Sequence, residues 1–186
     1  MLIRRTDRRY TKAAAMRVYV PSTLPALQEA YGSGELVPAG AGPAVAYAVT
    51  PGLREWYVSD DAEELEYAAL RGAAQESLRL LAADPGAARR RVVVAAEVPE
   101  GSVAPANDGE GADEAPGEVR VTGPLPLAKA AAVHLDAADA ESEVAAAAEA
   151  FGAAEAGDEA AMSLLDRADD HELLWYAVQE IPHLTG

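Results

Sequence analysis

Asp169-Asp170-His171-Glu172-Leu173-Leu174-Trp175-Tyr176-Ala177-Val178-Gln179-Glu180-Ile181-Pro182 holds one of the two tryptophans of this chain and its densest run of large side chains. Asp169 followed three residues later by Glu172 is a capping-box pattern: the aspartate oxygen accepts from the amide at N3 while the glutamate reaches back. Pro182 is expected to end that helix. At helical spacing, Leu173, Leu174, Ala177, Val178 and Ile181 form an apolar arc with Trp175 at its margin. Glu172, Tyr176, Gln179 and His183 fall on the opposite, polar side. The spacing predicts a C-terminal helix against which the rest of the fold packs.

Half of the 186 residues are hydrophobic and only 5% are aromatic. A chain of this length makes one domain and buries roughly 70% of its unfolded surface. Its core must then be built from Ala, Val and Leu, each burying modest apolar area at ~25 cal/mol per Å². Trp56, Trp175, Tyr67, Tyr176, Leu70, Leu78 and Leu81 are therefore predicted to matter disproportionately, and the pairs Trp56-Tyr57 and Trp175-Tyr176 read as packing units.

Working outward, Arg17–Val20 alternates as a strand closed by Pro21. Ser22 and Thr23 offer N-caps for a helix from Leu24 to about Ala30, and Thr50-Pro51 repeats that start. Ala44–Val49 is a small apolar strand. The longest helix is expected from about Asp61 to Ala83, with Asp60 and Glu63 as its capping box and a stripe of Tyr67, Leu70, Ala74, Leu78 and Leu81. Val92–Val98 is an unbroken apolar run, the pattern of a central strand covered on both faces. The alternating Glu118–Thr122 is a candidate to pair antiparallel with it. Ala132–Asp136 reads as the last strand, and helices follow over Glu141–Ala154 and from the cap Asp158 to Leu165. The whole predicts a mixed α/β fold: a single mixed sheet of about five strands, opening β-α-β-α-β, with helices packed on it and a C-terminal helix. Doubly wound and open α+β arrangements are both compatible with that order. Residues 1–15 read as a disordered basic extension, 16–186 as one domain, and 101–117, rich in Gly, Ala, Pro, Asp and Glu, as a disordered loop within it.

The formal charge is −16. Arg4, Arg5, Arg8, Arg9 and Lys12 stand against Asp7 in the first fifteen residues, so the body is more acidic still. Such a surface repels phosphate backbones, which argues against nucleic-acid binding. It suits a basic protein partner, or serves solubility alone. No apolar run approaches a membrane span, and the basic start carries no hydrophobic region of a secretory signal, so the cytoplasm is expected. There are no cysteines, which excludes disulfides and thiolate metal sites. Arg89-Arg90-Arg91 is expected to pair with surrounding carboxylates rather than to bind an anion.

His134 with Asp136 at a strand end, and His171 beside Asp169, Asp170 and Glu172, are residue types that could form a His/carboxylate metal site or a general base with an orienting acid. No HExxH or other ligand spacing accompanies them, and the acids have a sufficient role at a helix start. The glycines at 32, 34, 40 and 42 fit neither a dinucleotide nor a P-loop pattern, and no serine sits in a nucleophile elbow. The residues thus assign no catalytic group, cofactor or metal. They leave a candidate pocket or interface at Trp56, His134, Asp136, His171, Glu172, Tyr176, Gln179 and His183.

Met16-Arg17-Val18-Tyr19-Val20-Pro21, Leu53-Arg54-Glu55-Trp56-Tyr57, Glu63-Glu64-Leu65-Glu66-Tyr67-Ala68 and His171-Glu172-Leu173-Leu174-Trp175-Tyr176 together resemble a family of small uncharacterised acidic proteins from high-GC actinobacteria. The likeness covers most of 16–186, which implies that Met16 is the natural start, and carries no activity to transfer. The expectation is a non-enzymatic interaction or regulatory domain; the alternative is a small-molecule-binding domain or enzyme with a His/carboxylate site. A pocket on which two histidines converge favours the alternative, and a flat acidic face with the histidines far apart favours the first.

Overall fold

The computed structural model describes residues 14–37, 40–106 and 115–186. The expectation for 1–15 thus falls almost wholly outside the described residues; that for 101–117 does so at 107–114, while Val103–Pro105 within it forms a strand. In chain order the elements are β1 (Ala15–Ser22), α1 (Leu24–Ser33), β2 (Glu35–Val37), β3 (Ala44–Tyr47), α2 (Pro51–Tyr57), α3 (Ala62–Ala83), β4 (Val92–Pro99), β5 (Val103–Pro105), β6 (Glu118–Val121), β7 (Leu125–Pro126), β8 (Ala130–Asp136), α4 (Glu141–Glu155), α5 (Glu159–Asp169), β9 (Leu173–Tyr176) and α6 (Ile181–Thr185). Seven strands form one sheet in the order β5-β6-β3-β1-β4-β8-β9, and β2 and β7 form a separate ribbon. The fold is mixed α+β with a large sheet, of seven strands rather than about five. Every pairing is antiparallel, which removes the doubly wound alternative, since that arrangement is built on parallel strands.

The apolar run Val92–Val98 does lie at the centre, between β1 and β8. Val93 and Ala95 face α3 with Tyr19, Leu65, Ala69 and Ala73. Val92 and Val94 face α1 and α6 with Leu27, Leu135 and Ile181. Both edges of β4 are therefore taken, and Glu118–Val121 pairs with β3 and β5 instead. A third cluster joins the end of α3 to α4 through Leu78, Leu81, Val144, Ala147 and Phe151.

Local chemistry sets the helix starts. Thr23, Thr50 and Asp158 each accept an amide of the first turn, satisfying donors that have no intrahelical partner. For α3 the cap is Asp61, not Asp60: its Oδ1 accepts from Glu63 N at 2.9 Å and Glu64 N at 3.3 Å. The stripe also rotates. Ala74, Leu78 and Leu81 are buried as expected, but Leu65, Ala69, Ala73 and Ser77 join them, while Leu70 is only partly buried and Tyr67 stands half exposed. Gly72 lies where a Cβ would meet the Tyr47 ring at 2.6 Å, so the helix and β3 touch there only because glycine has none.

The C-terminal stretch is corrected most. Leu173–Tyr176 is the edge strand β9, paired residue by residue with β8, and the helix that follows is short, Ile181–Thr185. Leu-Leu-Trp-Tyr suits a strand as well as a helix, and β8 would otherwise lie at the sheet's edge. Asp169 closes α5 instead of opening a helix, and Pro182 sits in the first turn of α6, where its missing N–H costs nothing. Glu180 Oε2 accepts from Ala177 N at 2.7 Å across the intervening 3₁₀ turn.

Candidate functional site

Between α3 and the β8–β9 edge lies a cavity of about 230 Å³ whose walls include Tyr67 and Arg71 of α3, His134 of β8, His171, Glu172 and Trp175. The geometry follows from strand alternation. Trp175 is opposite His134 and Leu173 opposite Asp136, so these side chains share the sheet face that looks toward α3. A neighbouring cavity of about 270 Å³ is walled by Tyr47, Trp56, Tyr57, Gly72 and Gln75, and Arg71 lines both.

The floor is ionic. Arg91 is 1% exposed and Asp136 fully buried. Nε and Nη2 of Arg91 donate to the two oxygens of Asp136 at 2.9 and 2.8 Å, and the Arg91 amide donates to Oδ2 at 2.7 Å. Nη1 reaches Asp169 Oδ1 at 3.2 Å and Nη2 the His171 carbonyl at 3.0 Å. Asp169 is held further by Gln75 at 2.9 Å and approached by Arg71 at 3.5 Å. One guanidinium thus clamps β4, β8, the end of α5 and the start of β9. The arginine run does pair with carboxylates here, while Arg90 and Arg89 donate to backbone carbonyls of Asp136, Leu81 and Asp84.

Of the residues singled out from sequence, His134, His171 and Glu172 come together in the first cavity and Trp56 lines the second. Asp136 lies beneath Arg91 and is not a lining residue. Tyr176 packs on the other face of the sheet, in the cluster of Leu27 and Ile181. Gln179 and His183 are exposed on the 3₁₀ turn and α6. The polar stripe Glu172/Tyr176/Gln179/His183 does not exist, because the helix it required is a strand. The tryptophans are not packing units either: Trp56 is 57% and Trp175 62% exposed. Tyr67, Arg71 and Arg91 also line the cavity. From sequence Tyr67 reads as part of the helix stripe and Arg91 as a partner of carboxylates, since only the packing of α3 on the sheet brings Tyr67 and Arg71 to the cavity.

Burial, and after it the charge of Arg17, lowers the His134 pKa from its ordinary 6.5. The folded protein therefore prefers the neutral imidazole, set 6.3 Å from the Tyr19 ring. A group depressed in the folded state contributes stability that is complete above its unfolded pKa and is lost as pH falls through the folded one. His134→Gln is expected to lose less stability than the parent between pH 7.5 and 5.5, read as the difference in urea midpoints; equal losses would refute the assignment. Nε2 of His171 meets Glu143 Oε2 at 2.6 Å, tying the β9 start to α4. Among the described residues no group of three or more His, Asp or Glu is placed to hold a metal ion, and no helix is long and apolar enough to cross a membrane.

A family model matches residues 16–185. The chain belongs to a family of unknown function, DUF6912. The match takes in the sheet from the second residue of β1 onward and both walls of the cavity. No curated protein and no solved structure matches the chain significantly.

Proposed function

We propose that this DUF6912 domain is a non-enzymatic interaction module that takes an extended, basic segment of a partner protein as an added strand on β9. The observation that carries this reading is the character of the edge. β9 ends the sheet, and it presents Leu174 at 46% and Trp175 at 62% exposure. Edge strands offer a row of free N–H and C=O groups, and soluble proteins blunt them with charge, proline or a bulge. The four residues of this strand carry none of these. Strand addition uses such an edge, main-chain bonds giving affinity and alternate side chains specificity. The exposed Asp170 and Glu172 beside it, and the −16 charge of the whole, favour a basic partner. The setting we propose is the cytoplasm of an actinobacterium, from the resemblance given above and a composition rich in alanine that uses arginine far more than lysine.

A second reading, a small-molecule site, draws on the convergence of His134 and His171 in one cavity. Its volume of about 230 Å³ lies below the range of roughly 300–1,000 Å³ usual for drug-sized ligands. That size suits a side chain better.

Selection of a displayed library of random nonapeptides on the domain tests the proposal. Peptides with Lys or Arg at alternate positions are expected to be enriched, and Trp175→Ala is expected to keep its melting temperature while weakening those peptides roughly tenfold or more, in line with aromatic hot spots. Enrichment of acidic peptides, no enrichment, or affinity indifferent to Trp175 would overturn it.

A further inference from the structure

The cavity beside β9 has the chemistry of a cation receptor. Tyr67 from α3 and Trp175 from β9 both line it and both are about half exposed or more. Their ring faces are negative in the quadrupole sense and attract ammonium or guanidinium groups. Glu172 stands in the same wall, exposed, and makes no ion pair among the described residues. The two arginines in the lining do not reverse this. Arg91 is spent on Asp136 and Asp169, and Arg71 leans on the second oxygen of Asp169. Two guanidiniums face three carboxylates when Glu172 is included, and burial lowers the pKa of His134, which favours its neutral form.

Register supplies the remaining constraint. Leu173 and Trp175 point toward α3, Leu174 and Tyr176 away from it, as their β8 partners require. A strand added outside β9 would set every second side chain on the α3 face, with directly opposed Cβ atoms about 4.5–5.5 Å apart. A side chain opposite Leu173 or Trp175 therefore stands at the cavity mouth. Only a long one reaches between Tyr67 and Trp175.

We infer that the cavity walled by Tyr67, Trp175 and Glu172 is a specificity pocket for one lysine or arginine of the segment that adds to β9. This rests on the edge-strand reading and names the side chain that the edge selects. An acidic residue seeking Arg71, which is half exposed and makes a 3.5 Å contact to Asp169, is the competing occupant.

The test uses a peptide enriched as above, resynthesised with each basic residue in turn replaced by norleucine, which keeps the length and removes the charge. One position is expected to lose roughly tenfold or more in affinity, the size of a partly desolvated cation–π contact. On the variant Tyr67→Ala/Glu172→Gln the same replacement is expected to cost less than twofold. Both residues are solvent-facing, so the variant folds, and an unchanged melting temperature verifies it. If norleucine costs the same on parent and variant at every position, the pocket assignment fails while strand addition stands. If Trp175→Ala leaves all peptides unaffected, the edge reading itself fails. Preferential binding of glutamate at the position opposite the cavity would replace the cation with the anion.

Discussion

Arg91→Ala is expected to lower folding stability by about 3–5 kcal/mol, the range for removing one partner of a buried ion pair. The guanidinium is nearly inaccessible and serves Asp136, Asp169 and the His171 carbonyl at once. Its removal leaves the fully buried Asp136 carboxylate without its counter-charge, and desolvation of that charge dominates the cost. Set against the roughly 5–15 kcal/mol that a domain has in total, such a loss is close to unfolding. Arg91→Lys restores little, because a single ammonium cannot span two carboxylates and a carbonyl held by a planar fork. Arg91→Met with Asp136→Leu recovers only part: the Arg91 amide, which bonds Asp136 Oδ2 at 2.7 Å, would lose its acceptor. The exposed pair Arg17–Glu97 at 2.8 Å is the control, with a loss of about 0–1 kcal/mol on Arg17→Ala, as surface pairs give. Urea midpoints measure all four. A loss under about 1 kcal/mol for Arg91→Ala would show that the network is not what joins the sheet edge to its centre.

That network also explains what the sequence could and could not disclose. The long helix ending at Ala83, the caps Thr23, Thr50 and Asp158, and the central position of Val92–Val98 were legible because each depends on neighbours in the chain. Leu173–Tyr176 was not. Its letters satisfy a helical arc and a strand equally, and the choice is made at least 37 residues away, along the partners that run from Asp136 opposite Leu173 to Val133 opposite Tyr176. Asp169 looked like a cap because a cap needs only local sequence; its actual partner, Arg91, is 78 residues distant. On size alone Trp56 and Trp175 read as core residues. Val, Ala and Leu filled it without them, which leaves the two largest side chains on the surface. For the cavity, His134, His171 and Glu172 could be marked by residue type. Tyr67 and Arg71 could not, since each is an ordinary residue of an amphipathic helix until the rotation of that helix on the sheet is known.

Ser77 carries the second large effect, and it is the kind that residue type hides. Among seven serines with no nucleophile motif, this one is fully buried. Its hydroxyl donates to the Ser22 carbonyl at 2.7 Å and accepts from the Val92 amide at 2.9 Å. Ser22 and Val92 are register partners where β1 and β4 come to their common end, so one oxygen from α3 completes the ladder. Ser77→Ala deletes a single atom and leaves a buried N–H and a buried carbonyl unmatched, at about 1–3 kcal/mol for each unsatisfied group. A loss of about 2–4 kcal/mol is therefore expected, far beyond the ±0.5 kcal/mol usual for surface changes. Ser163→Ala, whose exposed hydroxyl bonds only the Glu159 carbonyl, is the matched control within that narrow range. Hydrogen exchange separates the cause from simple cavity formation. In Ser77→Ala the Val92 amide should lose protection before the other β4 amides do, because its opening no longer breaks a hydrogen bond. A uniform loss of protection across the strand, or a change under about 0.5 kcal/mol, would mean that the ladder closes without the hydroxyl and that α3 is held by its apolar face alone.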